Sequence, residues 1–347
     1  MHTDITFGNE DDLDEFMSTP QAGTVEMMQR FDGDIMILGI GGKMGPTLGC
    51  TALKAAREAG VSKKVYGVSR FSDETLRPRL ENFGITCIPC DLLEPDEIEK
   101  LPDVKNIVFM AGRKFGQVGS DYLTWALNTI VPANVARSFA ESRFVVFSTG
   151  SIYDLWPTDT EGPSEADTFT SIGEYANSCL GRERIFEHYS RKNGTKTLLF
   201  RLNYSIDLRY GVLYEIGRRV FGEEPIELAM GHANVIWQGD ANNFALRCLE
   251  LAANPPEILN VTGDKIRVRD VAESFGKVLG KKPLFTGGED PKAFLSNNAK
   301  LKRLLGAPPT GLDDMIRWIA EWLERGGKTL NKPTHYQTKD GRFLDEE

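Results

Sequence analysis

The residues best placed to do chemistry lie in Gly39-Ile40-Gly41-Gly42-Lys43-Met44-Gly45, between an apolar run and a helix-like one. Glycines at 39, 42 and 45 let backbone approach a charged oxygen with no Cβ in the way, and a helix starting there offers unpaired N–H groups and a partial positive charge. Opening a strand–helix–strand unit of about 30 residues, such a turn suits the pyrophosphate of an adenine dinucleotide. The next apolar run ends in Ser69-Arg70, where a carboxylate would otherwise hold the ribose hydroxyls. The planar fork of Arg70 matches a 2′-phosphate, which favours NADP over NAD as the expected cofactor. Asp91, with Leu92 beside it, follows the third run and is placed to meet the adenine, and Ala111-Gly112 after the fourth lets the chain pass close to the ligand.

The elements that must carry these positions alternate. DIMILGI, KVYGVSR, ITCIPC, NIVFMAG, RFVVFSTG and TLLFRLN are short, apolar and rich in β-branched residues; between them lie amphipathic stretches at Thr51–Ala59, Glu74–Phe83, Glu94–Leu101, Tyr122–Ser142 and Glu174–Arg191. This pattern predicts an α/β protein whose parallel sheet is covered on both faces. Near residue 203 the character changes. A strand pair, HANVIWQ and EILNVTG, is expected around a helix at Asp240–Ala253, with further helices at Val268–Leu279 and Leu312–Arg325. The expected division is an acidic extension over 1–32 that covers the sheet edge, a dinucleotide domain over 33–202 with 233–262 returning to it, a substrate lobe over 203–232 and 263–326, and a polar surface arm over 327–347.

Composition limits the function. The 347 residues, 41% hydrophobic and 26% charged, are ordinary for a folded protein and exclude a disordered or collagen-like chain. A net charge of −9 with no basic tract argues against nucleic acid or an anionic membrane as partner. Five sparse cysteines, no basic leader and no apolar run of about 18 residues lead to the expectation of a reduced, cytoplasmic, soluble protein. Cys87 and Cys90, spaced like a redox pair, are expected to be strand packing. His2, His188, His232 and His335 are scattered, so no metal is expected.

Taken in order, the glycine turn, Asp91, AGRK at Ala111–Lys114, Asn128, FSTGSIY at Phe147–Tyr153, Tyr175 and RLNY at Arg201–Tyr204 resemble the extended short-chain dehydrogenase/reductase superfamily. Within it they resemble the NAD-dependent epimerase/dehydratase group of sugar-modifying enzymes, over about residues 33–326. The resemblance implies a Rossmann-type doubly wound parallel sheet with a smaller C-terminal α/β substrate lobe. It implies a hydride exchanged with a hydroxyl or keto carbon of a sugar, sugar acid or nucleotide-sugar, with Thr149 holding the substrate oxygen and Tyr175 exchanging its proton. The cofactor set becomes Gly39, Gly42, Lys43, Met44, Gly45, Ser69, Arg70, Asp91, Leu92, Ala111, Gly112, Lys114, Asn128 and Tyr175. A homodimer through the Tyr175 helix and the long helix before it is also implied.

Two departures shape the expected site. The family places a lysine four residues after the tyrosine, where a cation brings a phenol of pKa near 10 toward neutrality; here Cys179 stands there. Lys114 is the first candidate replacement, ahead of Arg113, Lys43 and the charge of the oxidised nicotinamide; Arg182, one further turn along the Tyr175 helix, is an inward-pointing alternative, although Arg182 and Arg184 fit a solvated or interface face better. The alternative is a weakened protein that binds the cofactor as a sensor or scaffold. After RLNY the Tyr-Gly-Pro loop of nucleotide-sugar enzymes is replaced by Ser205-Ile206-Asp207-Leu208-Arg209-Tyr210, which brings in smaller carbohydrate substrates. Arg113, Ser151, Asn203, Arg209 and Trp237 are the expected substrate contacts.

Overall fold

Seven short strands run parallel: β1 (Ile35–Leu38), β2 (Val65–Ser69), β3 (Thr86–Pro89), β4 (Asn106–Phe109), β5 (Arg143–Thr149), β6 (Thr197–Leu202) and β7 (Glu257–Val261). The structure, a computed structural model, describes residues 5–114 and 119–341. The strands order as β3-β2-β1-β4-β5-β6-β7. Their side chains alternate between two cores, as the two-residue period of a strand requires. Ile35, Ile37, Val145 and Phe147 join one cluster; Met36, Leu38, Phe144 and Val146 join the other.

Helices cover both faces. Over the first lie α2 (Ala22–Arg30) and α3 (Gly45–Glu58), while α1 (Glu10–Met17) sits on α3 and buries Leu13 and Met17 in the core of a second lobe; over the second face lie a helix α4 at 121–138, with a π turn at Ala126–Ile130, and α5 (Gly173–Asn193). That lobe packs α6 (Val212–Phe221), α8 (Val268–Leu279) and α9 (Leu312–Glu324) around Phe275, Ile316, Trp318 and Ile319, while α7 (Gln238–Arg247) sits on the sheet's first face. Strand order reverses between β1 and β4, and in an open parallel sheet the crevice beyond the carboxyl ends at such a point is where ligands bind. Among the described residues no helix is long and apolar enough to cross a membrane.

Three expectations change. HANVIWQ and EILNVTG do not pair: His232–Asn234 pairs with Lys265–Arg267, Ile236–Trp237 with Ser205–Ile206, and β7 adds to the sheet beside β6. The exposed edge of β6 left a row of unpaired backbone groups that β7 satisfies. The acidic extension does not cover a sheet edge; its helices seat on α3 and α7, because Leu13, Met17, Met27 and Met28 carry apolar surface that only a helix layer buries. The arm is no free surface strand. Thr334 and Tyr336 are buried, Leu330 N donates to Arg209 O at 3.1 Å, and Gly341 packs on Ile172 and Gly173 at the start of α5. The expected arm beyond 341, like residues 1–4 of the extension, lies outside the described residues.

Candidate active site

A cleft of about 430 Å³ opens at the carboxyl ends of β1, β4, β5 and β6. The glycine turn forms one wall. No side chain caps α3, so its first N–H groups face the turn. At Gly45 a Cβ would lie 2.3 Å from Ile40 O, and at Gly39, with φ +91°, 2.7 Å from Ala111 N, so the turn tolerates no side chain there. Gly39, Gly42, Lys43, Met44 and Gly45 all line the cleft, as do Gly112, Arg113, Lys114, Thr149, Ser151, Tyr175 and Asn203.

Thr149 ends β5, its Oγ1 accepting from Ser151 N at 3.1 Å. The Tyr175 phenol, on α5, hydrogen-bonds Thr149 and meets the Cys179 thiol one turn on. Burial first, and then Cys179, push the Tyr175 phenol well above its ordinary range, while Arg182 pulls it down. The Cys179 thiol is likewise pushed up by burial and lowered by Arg182. Phenol and thiol are therefore neutral groups whose nearest helix-borne cation is a guanidinium.

Arg182 is a correction to the sequence reading. Instead of facing solvent it is buried, donating from Nη1 to Phe147 O at 2.7 Å and from Nη2 to Asn128 Oδ1. Tyr175, Cys179 and Arg182 stand at i, i+4 and i+7, one face of a helix, and that spacing was the signal. Arg184 is exposed and bridges to Glu187 at 3.0 Å. Asn128, on the π turn of α4, ties the site together: Nδ2 donates to Arg113 O and Ser178 Oγ at 2.9 Å each, and Oδ1 also accepts from Arg113 N. The next residue on α5, Glu183, is fully buried and receives both Nε and Nη2 of Arg201 on β6 (3.0 and 2.7 Å) and Ser148 Oγ on β5 (2.6 Å). These bonds fix α5, and with it Tyr175, against the strand that carries Thr149.

Lys114 lines the cleft and donates to Thr334 O at 3.2 Å; burial pushes its ammonium down to about 8, against the pull of Glu215. Lys43 crosses from the glycine turn toward the second lobe, donating to Ser205 O at 3.3 Å with its Nζ 3.8 Å from the centre of the Tyr210 ring. Lys332 and Thr334 of the arm also line the cleft, and nothing in their polar setting marked them beforehand.

Several expected residues lie elsewhere. Arg209 does not line the cleft. Its guanidinium is spent on Asp207 and Asp14, each at 2.8 Å, and Glu10 at 3.6 Å, so it cannot also clamp a substrate anion. Trp237 is buried against Phe16 and Trp318, with centroids 6.1 and 5.4 Å away, and fills the lobe core. Leu92 is packed into the second sheet core. Ser69 ends β2 and accepts from Phe71 N at 3.4 Å. Arg70, largely exposed, reaches to 3.9 Å from Asp91, and these two border a separate recess beyond β2 and β3. Among the described residues all five cysteines are free, with Cys87 and Cys90 buried, and no three His, Cys, Asp or Glu side chains gather as a metal site.

The cradle fits an adenine dinucleotide: an uncapped helix start, glycines whose side chains would fill the turn, and a cleft running from them to Tyr175. Among curated proteins no sequence matches. Solved structures share the fold. A UDP-glucose 4-epimerase with UDP-glucose from Thermotoga maritima superposes with a TM-score of 0.67 at 16% identity, covering 84% of this chain and 99% of its own. A UDP-glucuronic acid 4-epimerase from Bacillus cereus, in complex with a fluorinated UDP-sugar and NAD, gives 0.70 at 17% identity, with 84% and 99% covered. A dTDP-glucose 4,6-dehydratase from Bacillus anthracis in complex with NAD gives 0.69 at 14%, with 84% and 96% covered. A family model for the NAD dependent epimerase/dehydratase family matches residues 35–204, the stretch from β1 through β6 that holds the glycine turn, Thr149 and Tyr175. Over that stretch the chain belongs to the NAD-dependent epimerase/dehydratase family.

Proposed function

We propose that this protein is a cytoplasmic NAD(P)-dependent oxidoreductase or epimerase acting on a hydroxyl or keto carbon of a carbohydrate, with Thr149 and Tyr175 as its acid/base pair. The observation that carries the reading is one cleft joining the glycine turn to the hydrogen-bonded Thr149–Tyr175 pair and to the second lobe. A bound nicotinamide would supply or receive the hydride. Thr149 Oγ1 holds the substrate oxygen. Tyr175 Oη gives or takes the proton there, and its raised pKa makes the protonated phenol the resting form, suited to donating toward a carbonyl. Arg182, rather than a lysine at 179, holds positive charge beside that phenol, and Asn128 and Phe147 O fix where it lies. Arg70, just after β2, is the residue that favours NADP over NAD, although it borders a recess separate from the cleft and stands 3.9 Å from Asp91. Two copies join through α4 and α5 in a homodimer.

Replacing Tyr175 with Phe keeps the ring and removes the proton. Turnover of a responsive sugar should fall by about 10²-fold or more, with nucleotide affinity within about twofold of the parent. Undiminished turnover in Tyr175→Phe overturns the assignment. A second reading, a nucleotide-binding sensor or scaffold, is favoured by Cys179, a neutral thiol where the family resemblance calls for a lysine. Nucleotide binding without oxidation or reduction of any member of a sugar panel would select it.

A further inference from the structure

We infer that the substrate is a small sugar bearing an anionic group, a carboxylate or a phosphate, received jointly by Lys43, Lys114 and Lys332. The inference rests on the hydride transfer proposed above and narrows it.

Three separate elements bring these lysines to one cleft: the glycine turn, the loop after β4 and the C-terminal arm. They are close enough that Lys114 and Lys332 both disfavour charge on Lys43. The carboxylates nearby are committed elsewhere. Asp207 is held by Arg209 through both oxygens, and Glu215 accepts from Thr334 N and is pushed toward its neutral form by burial. Among the described residues neither Lys43 nor Lys332 has a carboxylate oxygen within 4.0 Å. Cations gathered in a partly desolvated cleft repel one another, and an anion entering between them offsets that repulsion and gains charge-assisted hydrogen bonds. Ser205, beside the Lys43 ammonium and also lining the cleft, keeps a buried Oγ with no hydrogen-bond partner.

Size points to a small ligand. The arm lies along the second lobe with Thr334 and Tyr336 buried, and the space left is about 430 Å³. Ligand pockets span roughly 300–1,000 Å³, so a cleft near the lower end that must also admit a nicotinamide has room for a monosaccharide acid or phosphate rather than a nucleotide diphosphate sugar. Arg209, the anion clamp expected from sequence, is neutralised by its own chain, and the three lysines take that role.

The test is calorimetric titration of the full chain, first with NAD and NADP, then at saturating nucleotide with D-glucuronate, D-glucose 6-phosphate, D-glucose and UDP-glucose. At least one small anionic hexose should bind about tenfold or more tighter than glucose, and tighter than UDP-glucose. Which anion wins identifies the head group. Lys332 is exposed on the arm, so Lys332→Ala should fold normally, weaken that hexose about three- to tenfold, and leave nucleotide affinity within twofold; Lys332→Arg should restore binding. Equal binding of glucose, no heat with either anion, tighter UDP-glucose, or an unchanged Lys332→Ala overturns the inference. So does a Lys332→Ala that weakens nucleotide as much as hexose, because the lysines would then serve the cofactor's phosphates. Absence of nucleotide binding in the first titration sinks the proposed function itself, and this narrower inference with it.

Discussion

Lys43 and Tyr175 face one cleft with opposite problems of charge. Burial keeps the phenol neutral, whereas in Lys43 it works against an ammonium, pushing it down to about 7 against the pull of Asp207, with Arg209, Lys114 and Lys332 adding to the fall. In the unfolded chain both Lys43 and Lys114 stay protonated to about pH 10.4. Above roughly pH 7 the unfolded state therefore holds more protons, and the folding penalty of burying these two ammoniums shrinks as pH rises from there toward the unfolded value. Binding of an anion has the opposite sign, since it needs the charged form. The dissociation constant for an anionic hexose should rise by up to about tenfold per pH unit between about pH 7 and 9 as Lys43 loses its proton, while that for glucose stays level. Titrations in buffers from about pH 6 to 9 read this directly, and a level constant for the anion removes Lys43 from its site. Residue types and spacing pointed to the glycine turn, whereas Thr149 and Tyr175 were singled out by the family resemblance of the motifs around them. Asp207, two residues before Arg209, was in view as a partner; Asp14 and Glu10, which reach Arg209 from nearly two hundred residues away, were not.

At the scale of elements, the loop after β4 and helix α5 are fitted to each other through a missing side chain. A Cβ on Gly112 would lie 2.3 Å from Arg182 Nη2 and 2.8 Å from Asn128 Oδ1. Gly112→Ala should therefore push the Arg182 fork off its acceptors. The expected cost is about 1–3 kcal/mol of stability, as for other overpacked cores, with turnover lowered at least about tenfold as the charge beside Tyr175 moves. Denaturant titration and steady-state rates check the two halves; a variant with parental stability and rate would show that Arg182 needs no fixed seat. The sheet was legible because each of its strands is an apolar run between helix-length amphipathic stretches. The small strands of two or three residues were not, since a period of two cannot be read from so few positions. Helix α1 is capped locally, with Asn9 Oδ1 accepting from Asp12 N at 3.0 Å and Glu10, Asp11 and Asp12 in its first turn. The arm had no readable signal: its polar residues dock through Thr334 and Tyr336 against partners that only the folded lobe assembles.

For the whole molecule, the proposed homodimer turns on the surface left by α4. Tyr122, Trp125 and Ile130 stand 69%, 38% and 51% exposed on that helix, beside α5, whose own outer residues Arg184, Glu187 and Arg191 are charged and paired with one another. Large apolar side chains exposed together on a folded protein mark a surface that is covered in the working assembly. A two-fold axis across α4 and α5 would place each apolar strip on its copy, and a stable dimer needs about 800 Å² from each partner, which two helices of this length can supply. Net charge opposes this: each copy carries −9, and like charges repel over a Debye length of about 8 Å at physiological salt. A contact driven by Tyr122, Trp125 and Ile130 should therefore tighten as salt rises, whereas one driven by the Arg184–Glu187–Arg191 ladder would loosen. Sedimentation at low and high salt separates the two. Ile130→Glu places a carboxylate in the apolar strip without touching the core, so it should sediment as a monomer with its fold intact; a parent that is already monomeric at about 100 μM, or a dimer that survives Ile130→Glu, would mean that α4 meets something other than its own copy.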